Sequence, residues 1–154
     1  MSVSMCLIPA APSLQTWRDT VARMGGAGLR VAVVCSSNMN RSMEAHARLA
    51  NKGYNVLSFG TGDKIKLPGP SASQPNVYEF GTLYSEIWAD LAAKDEAMYK
   101  QTGILHMLDR NRTIKPAPER LQDSERQFDL ILTAEERVFD QVLLLLLLLL
   151  ASIR

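Results

Sequence analysis

A chain of 154 residues, 47% of them hydrophobic, can bury one core and is too short for two ordinary domains. Its 17 Lys and Arg stand against 16 Asp and Glu, for a formal net charge of +1, and no basic run provides an electrostatic footprint for direct nucleic-acid binding. Two cysteines, Cys6 and Cys35, exclude a disulfide framework and suit a reducing compartment, and His46 and His106 form no metal-ligand cluster with them, so chemistry without a metal or cofactor is expected.

The first 28 residues read as a flexible extension ending in the Gly-rich stretch GGAG. Pro9 and Pro12 break their short apolar part, which makes a poor secretory signal, and Asp19 counts against a presequence built on Arg18 and Arg23. Residues 30–34, RVAVV, predict a strand buried on both faces of a parallel sheet. Met43, Ala47 and Ala50 at helical spacing predict a helix over Ser42–Lys52, stopped by Gly53. A second strand follows over 54–60, and the strand, helix, strand unit requires a right-handed crossover. KLPGPSASQPN reads as a proline-rich loop. Leu83, Tyr84, Ile87, Trp88, Leu91 and Met98 predict one long amphipathic helix over Thr82–Gln101, with a further helical turn or two in ILHMLDRN. The prolines of IKPAPER exclude a helix, FDLILT is the third strand, and AEERVFDQV opens another helix. The leucine run within Val142–Ala151 is about half the roughly 20 residues a bilayer-spanning helix needs, so it is no membrane anchor by itself.

The chemistry is expected in CSSNMNRS. A loop from the end of a parallel strand to the start of a helix gathers backbone N–H groups and the helix dipole around one point, which attracts an anion. Five residues between Cys35 and Arg41 suffice to wrap a tetrahedral oxyanion, with Arg41 closing it by a two-pronged contact. The same field stabilises a Cys35 thiolate, the nucleophile of a phosphocysteine mechanism, and Ser42 can donate its hydroxyl to the sulfur. Ser36, Ser37, Asn38 and Asn40 keep the loop open to phosphate oxygens, and Met39 contributes its backbone N–H. Cys–X5–Arg spacing alone is common, and the buried strand before it and the Ser and helix after it make it specific.

From Leu29 to about Val142 the chain resembles the eukaryotic phosphatases of the repetitive C-terminal domain of RNA polymerase II, relatives of the low-molecular-weight tyrosine phosphatases. The stretches that carry the resemblance are LRVAVVCSSNMNRSMEAH, SFGTG, KLPGP, PNVYEF, GILHMLDRN and FDLILTAEERVFDQV. It implies a three-layer α/β fold, a parallel sheet with helices on both faces, over residues 29–142, shortened at the C-terminus, with 143–154 as a leucine-rich tail. The resemblance also implies that the three strands lie in the order 2-1-3, with the third an exposed edge. It implies a phosphoserine substrate, fifth in the polymerase heptad and followed by a cis proline, and a nuclear role, with the cytoplasm also open, in transcription termination and mRNA 3′-end processing. The implied partners are the polymerase tail phosphopeptide and a symplekin-like polyadenylation scaffold. Lys66 and Pro68, in the KLPGP loop, would flank the phosphate cradle and bind substrate. His106 and Met107 are expected mainly in core packing. The family's last strand, the general-acid aspartate after it and the closing helices have no counterpart in the leucine run. The general acid is therefore unassigned, with Asp63, Asp109, Asp129 and Asp140 the carboxylates nearest matched segments. The rivals are a non-catalytic phosphopeptide or scaffold binder and a thiol-based arsenate reductase, which needs further cysteines.

Overall fold

The computed structural model describes residues 28–71 and 73–152. Almost all of the expected N-terminal extension, Cys6 included, lies outside the described residues. The elements run β1 (Arg30–Cys35), α1 (Arg41–Asn51), β2 (Asn55–Gly60), β3 (Ile65–Ser71), β4 (Gln74–Tyr78), α2 (Tyr84–Gln101), α3 (Ile104–Ile114), a 3-10 turn (Leu121–Asp123), β5 (Leu130–Thr133) and α4 (Glu136–Ser152).

The larger sheet is parallel, in the order β2-β1-β5, with β1 in the centre. Side-chain alternation along β1 divides the core. Val31 and Val33 pack with Val56, Ala45 and Leu49 under α1, whereas Ala32 and Val34 pack with Phe59, Val138 and Val142 under α4. Helices therefore cover both faces, giving the expected three layers. A third cluster, with Met43, Ile65, Tyr84, Ile87, Leu91 and Leu108, joins α1, β3, α2 and α3. In register, Val34 lies opposite Phe59 and Thr133, so the strands present their carboxyl ends along one rim, with Cys35 at its middle. At the other rim Arg30 holds Asp129 with Nε and Nη2, at 3.0 and 2.9 Å. That pair draws the Asp129 carboxyl down to about 2 and places it at the far end of the sheet from Cys35.

The structure corrects three expectations. KLPGPSASQPN is not a simple loop: β3 and β4 form an antiparallel hairpin, whose ladder breaks between Leu67 and Ser71, where Pro68 and Pro70 have no N–H to donate. The hairpin closes tightly there, because a Cβ on Gly69 would lie 1.8 Å from the Gln74 carbonyl oxygen. The long helix α2 is kinked: Asp95 takes an extended backbone and its carboxylate accepts from the Met98 N–H at 2.9 Å, starting the second segment. ILHMLDRN grows to an eleven-residue helix, and the loop begins only at Lys115.

The leucine run continues the helix opened by ERVFDQV, as one α4 through Ser152. Its leucines cover little of the sheet. Val138 and Val142 are buried and Leu145 packs beside them, one stripe at helical spacing, while Leu144, Leu148 and Leu150 are 59–64% exposed. No helix among the described residues is long and apolar enough to cross a membrane. Among the described residues β5 pairs only with β1, which leaves it the exposed edge, with Leu130 and Leu132 open to solvent.

Candidate active site

The buried strand β1 delivers Cys35 to the rim, the chain turns through residues 36–40, and α1 starts at Arg41. The turn packs closely on its neighbour. Gly62 N–H donates to the Ser36 carbonyl at 2.9 Å and Thr61 N–H to the Cys35 carbonyl at 3.1 Å, and a Cβ at Gly60 would lie 2.7 Å from the Ser36 oxygen. Only glycine fits that approach.

Cys35 is buried, with Sγ 3.0 Å from Ser42 Oγ. The direction of that contact follows from Asn38. The Glu119 backbone N–H donates to Asn38 Oδ1, which fixes the amide so that Nδ2 donates to Ser42 Oγ at 3.0 Å. Ser42 Oγ thus accepts from Asn38 and its proton is left for the sulfur, the arrangement a thiolate needs. Burial of Lys115 depresses its ammonium, whereas the Glu119 carboxylate and then the nearby Cys35 side chain favour the charged form. Its Nζ is anchored on the Ser58 carbonyl at 2.6 Å and on Glu119 at 2.8 Å, a cation held beneath the cradle.

Asn38 is the strained point of the loop. Its φ is +52, a left-handed conformation that Asn tolerates better than most residues, and its carbonyl accepts from the Tyr84 hydroxyl at 2.7 Å. Burial raises the Tyr84 phenol above its usual value, so it stays a donor. Tyr84→Phe is expected to leave that buried carbonyl unpaired, to cost about 1–3 kcal/mol of stability in denaturant unfolding, and to weaken phosphate binding.

The structure brings Cys35, Arg41 and Ser42 to one rim but revises one of the loop residues expected to bind phosphate, Asn38, and leaves Met39 the backbone role expected of it. The Asn38 side chain is fully buried and used up by Ser42 and Glu119. Met39 is 3% exposed, its side chain in the core under α2 and α3, and its carbonyl accepts from Asn111 Nδ2 at 2.6 Å. Both can meet an anion only through backbone N–H groups. Ser36 and Ser37 are half-buried and Asn40 is exposed. Arg41 is exposed and its Nη1 lies 3.1 Å from Glu135 Oε2, a residue sequence reasoning did not single out.

Ser36, Ser37, Asp63, Lys66 and Arg137 are among the residues lining a cavity of about 630 Å³ beside the loop. Strand alternation turns Lys66 and Pro68 outward together, but Pro68 lines a neighbouring groove of about 350 Å³ that Lys66 shares. Of the four aspartates considered as acids, only Asp63 lines the cavity, with a fully exposed side chain. Asp109 pairs with Arg112 on α3, Asp129 is at the opposite rim, and Asp140 is exposed on α4. Met107 packs against the core, whereas His106, expected there too, is exposed. His46 is buried with Nδ1 2.9 Å from Ser58 Oγ; burial, then the Lys115 charge, lowers its pKa.

A sequence profile described as Ssu72-like protein matches residues 29–148. The chain belongs to the Ssu72-like family. It is 61% identical over 119 residues to the RNA polymerase II C-terminal domain phosphatases SSU72 of Xenopus laevis and Homo sapiens, an overlap of 77% of this chain and 61% of each relative. The chain thus spans about three fifths of the length of these curated relatives. Among solved structures it is similar to the serine phosphatase of the RNA polymerase II tail from Drosophila melanogaster, at 63% identity and a TM-score of 0.75 over 76% of this chain and 62% of the other. Drosophila melanogaster Ssu72 with Symplekin, bound to a cis peptidomimetic phosphoserine peptide of the polymerase tail, matches at 62% identity and a TM-score of 0.74, over 76% of this chain and 60% of the other. The Ssu72-like match begins one residue before β1 and ends within the leucines of α4.

Proposed function

We propose that this chain is a cysteine-dependent protein phosphatase that removes phosphate from the phosphoserine of the RNA polymerase II C-terminal-domain heptad. The observation that carries the reading is the hydrogen-bonded line from Asn38 through Ser42 to the Cys35 sulfur at the end of the buried central strand. Cys35, Arg41 and Ser42 take the catalytic roles, and the backbone of residues 36–41 binds the phosphate oxygens. The thiolate attacks phosphorus, an S–P bond forms as the P–O bond to serine breaks, and the serine oxygen takes its proton from solvent, no side chain being assigned as donor. Water then attacks the phosphocysteine, and the thiolate leaves with the Ser42 proton directed at it. Lys66 meets substrate charge in the cavity and Pro68 shapes the adjoining groove for the peptide.

The relative crystallised with Symplekin and a cis phosphopeptide mimic supports a cis proline after the phosphoserine, a symplekin-like scaffold as partner, and nuclear work in termination and mRNA 3′-end processing. A second reading, a binder that captures the phosphopeptide without turnover, draws on the carboxylates around the cradle, since Glu135 is committed to Arg41 and Ser36. Phosphate release from a serine-phosphorylated heptad peptide separates the two. A short burst limited to the cis fraction, about 10–30% in unfolded peptides, is expected, followed by a slow phase that a prolyl isomerase accelerates. A single fast phase consuming all the peptide contradicts the cis requirement, and binding with no burst favours the binder.

A further inference from the structure

Glu135 stands between β5 and α4, with its backbone set from both sides. Ala134 N–H donates to the Val34 carbonyl at 2.9 Å, continuing the pairing of β5 with β1, and the Glu135 carbonyl accepts from Phe139 N–H at 3.0 Å, opening α4. The side chain is thereby delivered to the rim where Cys35 ends. Its two oxygens have different partners: Oε1 accepts from Ser36 Oγ at 3.0 Å and Oε2 from Arg41 Nη1 at 3.1 Å. Arg137 Nη2 donates to the same Ser36 hydroxyl at 3.3 Å, so that hydroxyl, too, is held from two sides.

We propose that Glu135 is the positioning residue of the phosphate cradle, holding one guanidinium nitrogen of Arg41 and the hydroxyl of Ser36 in place before the anion arrives. This rests on the phosphatase reading of the same loop. An exposed arginine on a first helical residue otherwise samples many rotamers, and each must be given up when it closes on phosphate. A carboxylate that engages Nη1 removes part of that freedom in advance and leaves the rest of the fork for the oxyanion. The Arg41 hydrogen bond first, and that of Ser36 with the charges of Arg41 and Arg137 after it, hold the Glu135 carboxyl below the usual carboxylate range. In the open cradle Glu135 is thus a hydrogen-bond acceptor for Arg41 and Ser36, an orienting partner rather than a proton donor.

The test reads inorganic phosphate and vanadate affinity, which needs no turnover, for the full chain, for E135Q, for R41K and for the double variant. Gln can accept from only one of the two donors and presents an NH2 group to the other. E135Q is expected to weaken vanadate binding by about tenfold when Arg41 is present and to have little further effect in R41K, the signature of two groups in one hydrogen-bond network. E135D, with the charge kept and the reach shortened, is expected to fall between. Equal losses in both backgrounds indicate a merely structural role and overturn the proposal, as does unchanged affinity in E135Q. If the unsubstituted chain binds neither anion, the cradle itself fails, a result distinct from failure of the Glu135 role alone.

Discussion

Cys35→Ser is expected to abolish phosphate release, by on the order of 10⁴-fold or more, as loss of an enzyme's nucleophile does, while phosphopeptide binding persists. An alcohol is a far weaker acid than a thiol, so the substitution removes the attacking anion, yet the backbone N–H groups and Arg41 proposed to receive the phosphate are untouched. Ser42 then faces another hydroxyl where it faced sulfur at 3.0 Å. Arg41→Lys should differ in kind, losing affinity and rate together, because a point charge cannot replace a planar fork. Phosphate release by Cys35→Ser equal to that of the unsubstituted chain, measured with the same peptide, removes Cys35 from the mechanism.

A comparison of leaving groups has an expected effect of similar size. An aryl phosphate releases a stable phenolate and needs little help, whereas a serine alkoxide must be protonated as it departs. General acid catalysis is worth about a hundred- to ten-thousand-fold, so this chain is expected to cleave the aryl ester while the phosphoserine peptide lags by that factor. The physical reason lies in the carboxylates around the cradle. Glu135 is ionised and bonded to Arg41 and Ser36, Asp129 is at the opposite rim, and Asp140 is exposed on α4. Among the carboxylates of the described residues, Asp63 alone lines the cavity. Similar rates for the two esters with a bell-shaped pH profile would assign the acid to a carboxylate of this chain, and Asp63→Asn is then the first substitution to make.

The parts of the site legible in the sequence are those written within a few residues of one another. RVAVV declares a strand buried on both faces, the small polar loop declares the turn that carries Arg41 to the start of a helix, and Ser42 next to Arg41 declares a partner for sulfur. The sheet order β2-β1-β5 agrees with the expectation drawn from the family resemblance, since crossover handedness fixes the face a helix covers and leaves strand order open. What escaped was set by long-range contacts or by local exceptions. Asn38 looked like a phosphate ligand because it is polar and in the loop, but the Glu119 backbone, far along the chain, turns its amide inward. Glu135, Tyr84 and Lys115 carry no motif and become part of the site only when β5, α2 and the loop after α3 fold against it. Prolines suggested a loop where β3 and β4 form a hairpin, since a two-stranded edge tolerates missing donors. Periodicity ran through the α2 kink because Asp95, capping the second segment, leaves the apolar spacing nearly intact.

The most direct measurement of the central claim is to quench the reaction with an aryl phosphate during turnover and map the phosphoryl group by mass spectrometry of the digested chain. A phosphoryl adduct on the peptide carrying Cys35, discharged by water on longer incubation and absent from Cys35→Ser, is the predicted result. Turnover with no adduct at Cys35 in the quenched samples, or an adduct on another residue that survives in Cys35→Ser, contradicts it.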